Sequence, residues 1–273
     1  MEIRGATVFI TGASRGIGAA LARRLHAMGA TVGLVARSRA ELDELAGVLG
    51  ARVAVAVADV ADKAEVTAAM TSLTEALGEP DVLVNNAGIG AYASVLEEDP
   101  DAFEHLMAVN YLGTVYATLA VLPGMARRRR GHIVNVASVA GRIGAPFEAA
   151  YSGSKFAVVG FTESLAPEMS QLGVGVSLVN PGPVATHFTD ARGVPFQRET
   201  PKPLDPQRVV DAIVVAIEKG RFEQVLPRWL NIANVTRALL PGPYMKGVLR
   251  DSRKDSAALA RRVGQTPVTE KES

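Results

Sequence analysis

Ile133 to Lys155 reads IVNVASVAGRIGAPFEAAYSGSK, and its succession of residue types implies a strand, a loop and a helix. Ile133-Val134-Asn135-Val136 is a β-branched run that suits a buried strand, and it leads into Ser138. Gly141, Gly144 and Pro146 punctuate the loop that follows. The spacing predicts a helix that opens near Glu148 and carries Tyr151 and Lys155 on one face, one turn apart. A free tyrosine has a pKa of about 10, too high for acid–base work at neutral pH. An ammonium one turn away favours the phenolate and brings that pKa towards the working range. A serine hydroxyl at a strand end can hold an oxygen on which charge changes. Together the three suit proton transfer to or from a carbonyl or an alcohol. A Tyr-x-x-x-Lys pair also arises by chance on ordinary amphipathic helices, so its weight depends on the rest of the chain.

Strand–helix alternation extends from this stretch in both directions. Ala6–Thr11 reads as a strand, followed by the turn Gly12-Ala-Ser-Arg-Gly16-Ile-Gly18 and a helix that Gly29 closes. Thr31–Ala36 is the second strand, and Ser38 with Glu41 forms a capping box for a helix to Leu49. Arg52–Ala58 is the third, and Asp62 with Glu65 opens a helix ending at Gly78. Asp81–Asn85 is the fourth. A long helix over Asp101–Arg129 is expected to be interrupted at Pro123-Gly124. His132–Ala137 is the fifth strand, and the Tyr151 helix runs towards Gln171, with Pro167 expected to kink or end its regular turns. Val174–Asn180, a helix over Asp205–Lys219 and a short strand near Gln224–Leu226 complete the pattern. The strands are continuous apolar runs, as in a parallel sheet with helices on both faces. No linker divides residues 1–250, which read as a single domain, and 251–273 reads as a polar, mobile tail with one helical turn.

Composition narrows the function classes. The chain has 273 residues, 48% hydrophobic and 21% charged, enough for a buried core. A net charge of +1 gives no reason to expect a nucleic-acid partner. Arg127-Arg-Arg-Arg130 ends a helix, where solvated cations complement the dipole. With no cysteine, disulfides, thiolate zinc sites and cysteine nucleophiles are excluded. Met1-Glu2-Ile3-Arg4 runs directly into an apolar strand, which reads as a cytoplasmic chain.

Glycines between a first strand and a first helix let the backbone turn tightly and let a pyrophosphate approach the helix N-terminus. At the end of the second strand a carboxylate would bind ribose hydroxyls and repel a 2′-phosphate. This chain has Ala36 and Arg37 there, with Arg15 in the glycine turn. Two guanidiniums and no acid favour NADP over NAD.

Thr11-Gly-Ala-Ser-Arg-Gly-Ile-Gly18, Asn85-Asn-Ala-Gly88, Asn110, Ser138, Tyr151-x-x-x-Lys155 and Pro181-Gly182 resemble the signature set of the short-chain dehydrogenase/reductase superfamily. The resemblance runs in order over residues 4–190. It implies an α/β, three-layer, doubly wound Rossmann fold with a parallel sheet in the order 3-2-1-4-5-6-7. It implies Tyr151 as general acid/base, Lys155 as the group that lowers its pKa and binds the nicotinamide ribose, and Ser138 as the holder of the substrate oxygen. Asn110 would kink its helix and hold a water of the proton relay. The implied cofactor contacts are Gly12, Ser14, Arg15, Gly16, Ile17, Gly18, Arg37, Asp59, Val60, Asn86, Ala87, Gly88, Pro181, Gly182, Val184 and Thr186, besides Tyr151 and Lys155. Asp59 would bind the adenine amine, and Pro181-Gly182 with Thr186 the nicotinamide carboxamide. No metal is implied. A homodimer or homotetramer, paired through the helices of Asp101 and Tyr151, is the family habit.

The resulting expectation is an NADP(H)-dependent oxidoreductase that interconverts a ketone or aldehyde and an alcohol, acting on an apolar small molecule. An NADP-binding redox sensor without turnover is the alternative, and it has no use for a tuned phenol. An epimerase or dehydratase would want a larger nucleotide-sugar domain. Residues 185–204, with His187, Phe188 and Phe196, read as the substrate loop, with His187 a pocket or surface residue. Residues 225–249 are apolar, and Pro241-Gly-Pro243 interrupts them. They read as a lid with Trp229 and Met245 touching substrate, a packing or subunit contact, or a peripheral lipid contact.

Overall fold

Runs of β-branched residues become strands here because both faces of the sheet are covered. The computed structural model describes residues 1–186, 188 and 201–262. β1 (Thr7–Thr11) and β5 (Gly131–Val136) are buried almost end to end. β2 (Thr31–Ala36), β3 (Val53–Val57), β4 (Val82–Asn85), β6 (Val174–Pro181) and β7 (Glu223–Leu226) join them. The seven strands lie in the order β3-β2-β1-β4-β5-β6-β7, and every pairing is parallel. The winding reverses at β1, where Val8 pairs with Val32 on one side and Val82 on the other. A close fit decides one residue of β2: a Cβ on Gly33 would stand 2.6 Å from the ring of Phe9.

Parallel strands need crossovers, and helices supply them. They are α1 (Gly16–Ala27), α2 (Arg39–Leu49), α3 (Lys63–Leu77), α4 (Pro100–Leu106), α5 (Gly113–Arg128), α6 (Ala149–Ser170) and α7 (Pro206–Lys219). Ser38, Asp62, Asp99 and Asp205 accept hydrogen bonds from first-turn N–H groups of α2, α3, α4 and α7. On one face of the sheet, Leu21, Leu25, Leu42, Val209, Ile213 and Ile217 pack against Val8, Ile10, Leu34 and Val84. On the other, Val66, Met70, Val121, Met125 and Leu165 pack against Phe9, Val35, Leu83 and Ile133. Each such side chain is worth about 1.5–3 kcal/mol when fully buried, and these two layers replace the covalent staples that a chain without cysteine lacks. Pro100–Arg128 is long and apolar enough to cross a membrane, but Val109, Ala117, Val121 and Met125 bury its apolar side in the core.

Several local expectations are corrected. The Asp101–Arg129 helix is not interrupted at Pro123-Gly124; both lie inside α5. The irregularity is a π-helical turn, Met107–Leu112, centred on Asn110. Pro123 is accommodated on the exposed side of α5, and Gly124 leaves room for the Glu79 carboxylate. Pro167 does not end α6, which continues to Ser170; so near the end, the missing N–H costs the helix a single bond. The arginine run is not simply solvated, since Arg127 and Arg128 pair with Glu79 and Arg130 with Asp81 at 3.1 Å.

Beyond β7 a 3₁₀ turn (Arg228–Leu230) leads into α8 (Asn231–Leu239) and α9 (Pro241–Asp251), and Pro241 starts the new helix instead of ending an old one. A further helix, α10 (Arg253–Arg262), replaces the single turn expected of the tail. Its SAALARR run consists largely of strong helix formers. Residues 263–273, and with them the rest of the expected tail, lie outside the described residues.

Candidate active site

The carboxyl ends of β1, β4, β5 and β6 open onto one cavity of about 840 Å³, at the position where the strand order reverses. Ser14, Arg15, Gly16, Ile17, Arg37, Asp59, Val60, Ala87, Gly88, Ser138, Tyr151, Lys155, Pro181, Gly182, Val184 and Thr186 all line it, as do Gly12 and Asn86. Of the residues expected at the site, Gly18 and Asn110 stand behind its wall. A Cβ on Gly18 would lie 2.8 Å from Asn86 Nδ2.

The glycine turn is built to receive a phosphate. Gly12 and Gly16 have φ of +64° and +54°, and a Cβ on Gly12 would lie 2.7 Å from Ala87 Cα. Arg15 gives α1 no side-chain cap, and the first turn of α1 carries no acid. First-turn N–H groups with the positive end of the helix dipole therefore face the cavity. These residues fit a dinucleotide. The adjoining wall is fixed by hydrogen bonds: Asn86 N and Ala87 N both donate to Thr11 Oγ1 at 3.1 Å, and Asn86 Nδ2 donates to Thr11 O and Gly12 O.

Lys155 and Tyr151 rise from the first turns of α6 into the cavity. Lys155 is buried, its Nζ donates to Val136 O at 3.2 Å, and it sits 5.9 Å from the Tyr151 ring centroid. Burial lowers the Lys155 pKa to about 8. On the other side the Tyr151 ring packs at 5.8 Å from that of Phe188. Ser138 ends β5, and its Oγ donates to Pro181 O at 3.4 Å and accepts from Ala140 N at 3.1 Å. The set places a phenol, a buried cation and a hydroxyl around one space, which suits moving a proton on and off an oxygen.

Asn110 is fully buried. Its Oδ1 accepts from Ile89 N at 2.8 Å, and its Nδ2 donates to Ile89 O at 3.0 Å and Ser154 Oγ at 2.9 Å. It thus joins the loop after β4 to α6, and what the geometry shows is positioning: both amide hydrogens are used within the protein. A second buried relay lies deeper. Asn85 Nδ2 donates to Thr118 Oγ1 and Asn135 Oδ1, and Asn135 Nδ2 donates to Thr162 Oγ1. It ties β4 and β5 to the helices that flank them, and its members are paired only once the sheet register is known.

Where β2 borders the cavity, the reading of two arginines without an acid is corrected. Glu41 lines the same cavity and accepts from Arg15 Nε at 2.6 Å and from its Nη2. That hydrogen bond and the carboxylate charge raise the Arg15 pKa. Arg37 stands 3.9 Å from Asp59. Glu41 was legible only as a helix-capping residue, because its partner lies 26 positions away in the chain.

Leu230 borders the cavity, whereas Trp229 and Met245 do not; they are 50% and 51% exposed. The expected substrate contacts at those two residues are therefore corrected to Leu230, since the helical phase turns Trp229 and Met245 outward. His187 and Phe196 lie outside the described residues. Where the loop is described, its ends are drawn together, with Leu204 N donating to Pro183 O and Ala185 N to Leu204 O.

Comparison with known proteins agrees with this geometry. The short chain dehydrogenase family profile matches residues 6–194. Dehydrogenase/reductase SDR family member 7B of Bos taurus is 33% identical over 270 residues, covering 93% of this chain and 83% of that protein. A short chain dehydrogenase from Burkholderia cenocepacia, solved with NADP, superposes with a TM-score of 0.80 at 31% identity, covering 91% and 99% of the two chains. A short chain dehydrogenase/reductase from Burkholderia phymatum, solved with NAD, also superposes at 0.80, with 26% identity and 98% of each chain covered. The chain belongs to the short-chain dehydrogenase/reductase family of oxidoreductases.

Proposed function

We propose that this chain is an NADP(H)-dependent enzyme that interconverts a ketone or aldehyde and the corresponding alcohol, on a substrate with a large apolar part. The observation that carries the reading is the meeting of Ser138, Tyr151 and buried Lys155 with the uncapped α1 turn in one cavity. When bound, the nicotinamide supplies or accepts the hydride. In the reducing direction Ser138 Oγ–H binds the carbonyl oxygen and the Tyr151 hydroxyl donates the proton to it. Lys155 stabilises the phenolate left behind, and Asn110 holds α6 in register with the loop after β4.

Preference for NADP(H) is supported by Ala36 in place of a carboxylate at the end of β2, and by Arg15 and Arg37 on the cavity wall. An apolar substrate is supported by Ile143, Tyr92, Phe188 and Leu230 on the same wall. A homodimer or homotetramer belongs to this reading, through the helices of Asp101 and Tyr151, and sedimentation velocity would measure it.

The test is steady-state oxidation of NADPH against a panel of ketosteroids, retinoids, acyl thioesters and simple aldehydes. Turnover on at least one, faster for bulky apolar members, is expected. Tight NADPH binding with no turnover on any of them would favour the sensing alternative.

A further inference from the structure

Fourteen large apolar side chains are exposed among the described residues, and seven of them lie between Trp229 and Leu249. Each helix has an exposed apolar side: Trp229, Ile232, Val235 and Leu239 recur at helical spacing along the 3₁₀ turn and α8, and Met245 and Leu249 along α9. Neither helix has a buried residue. The inner side is nevertheless anchored. Arg237 donates to Arg142 O at 2.8 Å and stacks 5.3 Å over the Phe156 ring, while Tyr244 and Val248 are half-buried. A helical pair held by its inner edge, with its apolar side in water, lacks the partner that normally makes such helices stable.

Charge identifies the partner. From Gln224 to the end of α9 the sequence carries Arg228, Arg237, Lys246 and Arg250 against the single acid Asp251, in a chain whose net charge is only +1. With Arg237 turned inward, Arg228, Lys246 and Arg250 remain to face a partner. An exposed apolar stripe with a tryptophan at its edge and an excess of cations around it is the pattern of a helix lying in a lipid interface. We propose that the outer face of α8 and α9 docks the enzyme on an anionic lipid surface. Leu230 lines the cavity and Trp229, its neighbour, points outward. The cavity wall and the docking face therefore meet between two consecutive residues, so an apolar molecule dissolved in the lipid has a short path to the site.

Trp229 is the sole tryptophan of the chain, which makes its fluorescence a reporter confined to this face. The full chain is mixed with vesicles of phosphatidylcholine alone, or with about a third of it replaced by phosphatidylglycerol. On anionic vesicles a blue shift of Trp229 emission and co-sedimentation are expected, weakened at least about tenfold on neutral vesicles or near 0.5 M salt. Leu239→Glu with Leu249→Glu, at positions 73% and 61% exposed, should abolish binding while leaving NADPH binding intact. Lys246→Glu with Arg250→Glu, which alters no apolar residue, should weaken it as high salt does. Failure of the wild type to bind anionic vesicles overturns the proposal. So does a self-associated form that the Leu239/Leu249 double variant dissociates, because a second copy would then cover the face.

Discussion

Arg15 Nε donates to Glu41 across 2.6 Å at the end of the cleft that β2 borders. The carboxylate already occupies the guanidinium that a 2′-phosphate would seek, so the two acceptors compete. The wild type is expected to favour NADPH over NADH by roughly tenfold in kcat/KM, about 1.4 kcal/mol. Glu41→Gln removes the competing charge and should widen that ratio, while Ala36→Asp should narrow or reverse it by repelling the phosphate. Paired kinetics with both nucleotides decide the matter, and an unchanged ratio in Glu41→Gln would show that the ion pair does not oppose phosphate binding.

Tyr151→Phe keeps the ring that packs against Phe188 and loses only the hydroxyl. Turnover should fall at least about 10²-fold, with NADPH affinity by fluorescence titration nearly unchanged. Retention of most activity would remove Tyr151 from the proton path.

Burial holds Lys155 near pKa 8, against 10.5 for a free side chain. Between those values the unfolded chain keeps a proton that the folded chain has released, so stability rises with pH across about 8 to 10.5. Below 8 both states are protonated and the full cost of burying the charge is present. In denaturation, wild type should gain stability relative to Lys155→Met across this window, by on the order of 3 kcal/mol, because the variant has no charge to release. Parallel curves would mean that the lysine is solvated in solution.

His132 lies at the start of β5, at the opposite end of that strand from Ser138 and the cleft, and was unremarkable in the sequence. Its Nε2 lies 2.8 Å from Ser177 Oγ, whose own hydrogen goes to Arg221 O at 2.7 Å, so Nε2 carries the proton and donates it. Burial, helped by the charge of the N-terminus, lowers its pKa to about 4. Below about 6.5 the unfolded state takes up a proton that the folded state refuses, and stability is lost as the pH falls towards 4. From pH 7 to pH 5 the loss should be about 2 kcal/mol in urea titrations, and His132→Gln should flatten it. An acid limb that persists in His132→Gln would assign it to the carboxylates.

Tyr151 and Lys155 were legible because a four-residue spacing puts two side chains on one helical face whatever the tertiary structure does. The strands were legible for a similar reason, since continuous apolar runs such as Ile133–Val136 have few alternatives. Glu41 was not, because its meeting with Arg15 depends on how a glycine turn and a helix start face each other across β2. The Asn85–Asn135 bridge required the register of β4 on β5. Pro123 and Pro167 misled because a proline is tolerated where its ring faces solvent or a helix is about to end. Trp229 and Met245 misled differently: the apolar content of 225–249 was visible, but which sides turn inward depends on tertiary contacts such as that of Arg237 in α8 with Phe156 in α6.

The reversal of strand order at β1 makes the cleft a seam between two halves of the chain. β1, β2 and β3 can associate through near-neighbour crossovers, but Val8 meets Val82 only after more than seventy residues have been looped out, a closure whose entropic cost grows with the logarithm of its length. Such distant parallel pairing slows folding. Gly12 and Ala87 stand on opposite banks of that seam, so a chain with its halves apart has no nucleotide cleft at all. The dinucleotide therefore acts as a clasp: it binds only the closed sheet, and at a concentration a hundred times its Kd it adds about 2.7 kcal/mol to the stability of the whole fold.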